Sequence, residues 1–163
     1  MMNDSRTNNT NSENNVTVEL LSEMYRNVTM GSENLATVVP MIRDKELMTN
    51  VTAQLERYAD LTNKTADMLG KRDVDPKEPT MMKKIMSRGG IKLNLMTDAS
   101  DTHIAQMIAK GTETGADELQ LKYEQFRDRG CDSDVLNLCG EILDFERKEI
   151  AHANTMRAGR SNG

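Results

Sequence analysis

Apolar residues that return every three or four positions, over four long stretches, constrain this chain more than any other feature. Leu21, Tyr25, Val28, Leu35, Val39 and Ile42 share one helical face, with Ser32 in phase. Met48, Val51, Leu55, Tyr58, Thr62, Thr65 and Leu69 form a second such row. Ile104, Ile108, Gly111, Thr112, Gly115, Leu119 and Phe126 form a third, and Val135, Cys139, Ile142, Leu143, Glu146, Glu149 and Ala153 a fourth. A strand turns every second side chain to the same face and cannot present these rows. The pattern therefore predicts an all-α fold built from four long amphipathic helices.

Breaker residues set the bounds. The first helix is expected over residues 16–39, where Pro40 removes a backbone donor and crowds the preceding turn. The second covers residues 45–69, with Gly70 as its C-terminal stop. A loop with two prolines and a shorter helix over 81–96 follow. The third long helix covers 102–127, with Ser100 or Asp101 as its cap, and the last covers 134–156 after Gly130. Residues 1–15, MMNDSRTNNTNSENN, carry too little apolar surface to offset ordering entropy and read as a disordered Asn-rich tail. Residues 158–163 should fray. The domain is then a bundle over 16–157. The short connections make two antiparallel hairpins, and the 70–101 connection is long enough to travel back along a bundle of about 40 Å.

Composition matters mainly for what it excludes. With no Trp, two Phe and three Tyr, the chain lacks the aromatic supply of a β-sandwich. Its core must come from Leu, Met, Ile and Val, and the thirteen methionines read as flexible core filling rather than copper ligands or a promiscuous groove. A net charge of −5 argues against general nucleic-acid binding, and the local cluster Lys83, Lys84, Arg88 and Lys92 reads as a solvated helix face. Cys131 and Cys139 match no zinc spacing and no disulfide framework, so a reducing compartment fits. No apolar leader and no long apolar run are present, which points to a cytoplasmic protein without a membrane partner. The five Asn-x-Ser/Thr triplets are then chance matches.

Three segments carry a family likeness. LLSEMYRNVTMGSENLATVV, QLERYADL and MIAKGTETGADELQLKYEQF, followed by a final helix, resemble a family of uncharacterised bacterial ferritin-like four-helix bundles of the domain-of-unknown-function type. The resemblance spans residues 16–157 and is most specific from Gly111-Thr112-Glu113 to Tyr123-Glu124. It implies a ferritin-like bundle with one long crossover. The wider superfamily, rubrerythrin-like proteins included, holds two irons with one Glu from each of two helices and a Glu-x-x-His from each of the others. Carried over, the candidates are Glu33, Glu56, Glu113, and Glu149 with His152. Ala59 stands where the first histidine is required, so the ligand set is depleted.

Helical phase tests these candidates at about 100° per residue. Glu33, Glu56 and Glu113 fall well off their apolar faces and should be surface carboxylates. On the last helix Glu146 lies at the centre of the apolar face, Glu149 close to it and His152 on its shoulder. An unpaired buried carboxylate is costly, so something must compensate. Gly115 should lie opposite Glu146, with Gly111 and Thr112 opposite Glu149. Ser32 and Tyr58 should reach the same level, with Glu118 on a flank and Lys122 nearer the loop. One reading satisfies the carboxylates with Ser32, Thr112, Tyr58, Lys122 and water, or buries them in an oligomer. The other places a single Fe, Mn or Zn ion on Glu146 and Glu149 with Glu118 or His152. The favoured expectation is a bundle without catalytic residues and without a cofactor, structural or self-assembling as a homo-oligomer. The alternative is a metal-binding or oxidoreductase-type bundle centred on the last helix.

Overall fold

A computed structural model describes residues 4–76 and 100–161. Four long helices make up nearly all of them: α1 (Asp4–Val38), α2 (Lys45–Gly70), α3 (Asp101–Phe126) and α4 (Ser133–Ser161). A short 3-10 turn, Val39–Met41, follows α1 with Pro40 near its start, as the proline requires. The expected short helix over 81–96 and its basic cluster lie outside the described residues.

Local chemistry explains where the elements begin. The Asp44 carboxylate accepts from the Leu47 amide at 2.8 Å and caps α2, and Ser100 accepts from the His103 amide at the start of α3. Asp101 also accepts from the Arg43 amide at 2.8 Å, which ties the α1–α2 turn to the start of α3. At the other end of α2, the left-handed residue is Asp73 rather than Gly70. Asp is one of the few residues that tolerates that conformation.

Cross-helix contacts fix the topology. Along α1, Thr17 meets Asp132, Asn27 meets Gly115 and Arg43 meets Asp101, so α1 and α3 are antiparallel. Along α2, Asn50 meets His152, Tyr58 meets Glu146 and Arg72 meets Asp132, so α2 runs antiparallel to the course of α4. The order is up, down, down, up, and the chain between Lys71 and Ser100 joins opposite ends of the bundle. α1 packs closely on α2 and α3, and α3 on α4. The α2–α4 seam is wider and is bridged by long polar side chains. Arg57 and Lys64 reach Glu141 at 2.5 and 3.0 Å, and Arg72 reaches Asp132 at 2.8 Å.

The core is aliphatic, as composition required. Leu20, Leu21, Val28, Val51, Leu61, Ile104, Val135 and Ile142 are fully enclosed. Met24 is the fully buried methionine among the described residues, and Met41, Met48 and Met68 border the core. Along α3 the buried positions are Ile104, Ala116, Leu119 and Phe126, so about three turns between Ile104 and Ala116 contain none. That gap holds Gly111, Thr112 and Gly115. No described helix is long and apolar enough to cross a membrane.

Both ends of the chain depart from expectation. α1 begins at Asp4, so it takes in most of the stretch expected to be a disordered tail, and α4 continues to Ser161 rather than ending near Met156. Helix propagation is cheap once a nucleus is fixed. Here the nucleus is anchored by Val16 and Thr17, both buried, with the Thr17 hydroxyl accepting from the Asp132 amide at 3.0 Å. One turn earlier, Glu13 lies over Gly130 in the α3–α4 turn. Gly130 has φ +79°, and a Cβ there would sit 2.7 Å from Glu13 Cγ. Gly130→Ala is therefore expected to destabilise the protein by about 1–2 kcal/mol through the left-handed backbone alone, measured by urea denaturation. A neutral result would show that the turn can readopt a right-handed form.

Candidate functional site

The core polar cluster is built around Glu146. It sits between Leu143 and Glu149 on α4, on the face that carries Val135, Cys139 and Ile142, and only 1% of it is exposed. Its Oε1 accepts from the Tyr58 hydroxyl of α2 at 3.0 Å. Its Oε2 lies 3.5 Å from Nδ2 of Asn27 on α1, and the same Nδ2 donates to the Gly115 carbonyl of α3 at 3.0 Å. One carboxylate thus links all four helices.

Glycine makes this network sterically possible. The Tyr58 ring lies directly on Gly31, where a Cβ would come within 2.5 Å of Cζ and 2.9 Å of the hydroxyl. The ring's other side meets Phe145 edge-on, with centroids 4.9 Å apart. A Cβ on Gly115 would come within 3.2 Å of Asn27 Nδ2. The small residues thus admit Tyr58 and Asn27 to the carboxylate.

Electrostatics follow from burial. Loss of solvation raises the Glu146 carboxyl from 4.5 to about 7, against the opposing pull of the Tyr58 and Asn27 donors and the Arg147 charge. Burial, then the Glu146 charge, pushes the Tyr58 hydroxyl well above its ordinary value, so it remains a donor at neutral pH. Cys139 lies on the same face with its thiol pushed up to about 12 by burial, which makes it a small hydrophobe rather than a nucleophile. At the seam, donation from Lys64, then Arg57, holds Glu141 below the usual carboxylate range.

The expected ligand residues are divided between two cavities. Glu146 and Glu118 line a groove of about 430 Å³ between α1 and α3, with Glu118 exposed at its edge. Glu149 and His152 line a cavity of about 280 Å³ formed by α2, α3 and α4. Ile108 and Thr112 line both. Oε2 of Glu149 is buried without a hydrogen-bond partner. His152 is exposed, and its Nδ1 lies 3.1 Å from Asn50 Nδ2. Among the described residues, no three His, Cys, Asp or Glu side chains come together in a way that could hold a metal ion.

Of the other carboxylates expected at the surface, Glu56 is exposed, whereas Glu113 and Glu33 are half-buried. Glu113 is paired with Lys110 at 3.1 Å, and Glu33 lies on the wall of the α1–α3 groove. Tyr58 reaches Glu146 as expected, and Thr112 lies beside the Tyr58 hydroxyl. The second donor is Asn27 rather than Ser32 or Lys122. Asn27 lies three residues after the buried Met24 and four before Gly31, so a phase count centred on Met24 would have placed it inward.

No protein-family model, curated protein or solved structure matches this chain.

Proposed function

We propose that this chain is a ferritin-like bundle that acts by binding or self-assembly rather than by catalysis, with a hydrogen-bonded network in place of a di-metal centre. The up-down-down-up course of the helices and the long connection between opposite ends support that fold. The observation that carries the functional reading is the engagement of both Glu146 oxygens, by Tyr58 and Asn27. A carboxylate held this way has donors where a metal-ligating carboxylate has a cation. Ala59, in place of a histidine, is exposed.

A second reading, a single Fe, Mn or Zn ion on Glu149 and His152, has one observation in its favour. Glu149 Oε2 is buried without a donor, and both residues line the same cavity. Elemental analysis of protein purified without a histidine tag, before and after iron loading, separates the two. The binding reading expects substoichiometric metal in both samples. Stoichiometric Fe, Mn or Zn that is lost in Glu149→Ala would overturn it.

A further inference from the structure

The α1–α3 groove is cut into the bundle where α3 has no buried residue. Its walls carry Met30, Leu35, Met107 and Leu119, and its floor reaches Tyr58 and Glu146. At about 430 Å³ it falls within the range of small-molecule sites, which are mostly apolar with a few placed polar groups. Gly111 is exposed on its lining, and a Cβ there would meet nothing within 4 Å.

The charge of the lining is one-sided. Among the described residues of its lining, Glu23, Glu118 and Glu146 are acidic and Arg26 is the cation. Arg26 is itself paired with Glu23 on the same helix. An ionised carboxylate offers about four acceptor sites, and Glu146 uses two, for Tyr58 and Asn27. Asn27 Oδ1, buried without a partner, is a further acceptor on this wall. Among the described residues, acceptors and acidic groups therefore predominate around an apolar slot.

We propose that this groove binds a small amphiphilic organic ammonium ion, its apolar body against the aliphatic walls and its cationic head toward Glu146. The proposal rests on the binding reading above and supplies its ligand class. An anionic amphiphile would bring like charge into an acidic slot. A neutral alcohol would gain the walls without the charge-assisted bond, which is the stronger kind.

The test uses octylammonium, 1-octanol and octanoate, which share one chain, titrated calorimetrically into the full-length protein at pH 8. Octylammonium should bind at least ten-fold more tightly than either of the others. Gly111→Leu places a side chain in the slot while improving helix propensity, so it should abolish binding with an unchanged or higher melting temperature. Glu146→Gln should retain chain binding and lose the preference for the cation. Equal or tighter binding of octanoate or 1-octanol would overturn the ligand class. Octylammonium binding that survives in Gly111→Leu would overturn the site. Neither outcome bears on the metal measurement, so the two proposals fail separately.

Discussion

Tyr58→Ala is expected to cost about 4–5 kcal/mol of unfolding free energy, adding the loss of a large core ring to the loss of a donor to a buried carboxyl. The ring is 1% exposed and wedged between Gly31 and the edge of Phe145. On the α1 side nothing can fill the void, because Gly31 has no side chain. The hydroxyl adds a second cost, since Glu146 would be left in the core with Asn27 as its remaining donor. Tyr58→Phe isolates that part and should cost about 1–2 kcal/mol. Gly31→Ala approaches the same contact from the other side. Its helix-propensity gain of about 1 kcal/mol should be outweighed by overpacking against the ring, a term of about 1–3 kcal/mol. In a Tyr58→Ala background the overpacking vanishes and Gly31→Ala should become neutral or stabilising. Urea denaturation of the four proteins measures the coupling directly. Additive costs would mean that the ring and Gly31 are not in contact in solution.

The sequence made the helices legible because their apolar rows are long, and it located Glu146 because a single carboxylate stood at the centre of one of them. Face assignments drifted by about one residue where polar groups are buried. On α2 the expected face held Met48, Leu55 and Thr62, whereas the enclosed residues are Leu47, Gln54 and Leu61. Gln54 reads as a surface residue, yet it is buried, with Asn50 one turn earlier on the same helix accepting from it at 2.6 Å. Asn27 was hidden because its partners, the Gly115 carbonyl and Glu146, lie on other helices. His152 lies on the shoulder of the face, where phase put it, exposed and beside Asn50. The N-terminal extension of α1 sets Glu13 against Gly130 of the remote α3–α4 turn, a contact that no local propensity encodes. The groove was legible in part, since Gly111, Thr112 and Gly115 announced missing volume. Its acidic lining comes from α1, α3 and α4 together and needed the fold to be seen.

Stability is expected to fall by about 2.5 kcal/mol between pH 5 and pH 8, because a carboxyl moved from 4.5 to about 7 binds its proton more tightly when folded. Below about 4.5 Glu146 is protonated in both states and carries no penalty. Between 4.5 and 7 the unfolded chain ionises first, so the native state binds more protons and stability declines as pH rises. Above about 7 the folded carboxyl ionises as well and the decline levels off. The neighbours do not reverse this sign. Tyr58, Asn27 and Arg147 favour the ionised form, and burial outweighs them. Cys139 stays neutral throughout the window. Glu141, held low by Lys64 and Arg57, contributes stability that is lost only as pH falls through its depressed value, outside this range. Glu146→Gln isolates the effect. The amide can still accept from Tyr58 and has no charge to desolvate, so the variant should match the parent near pH 5 and exceed it near pH 8. Chemical denaturation at half-unit pH intervals reads both curves. If the parent gains stability from pH 5 to 8, or if Glu146→Gln keeps the same downward slope, the buried carboxyl is not the group that sets it. A flat parent curve would have a different meaning: the carboxylate would be ionised at no cost in the folded protein, with the Tyr58 and Asn27 donors or a bound cation offsetting its burial in full.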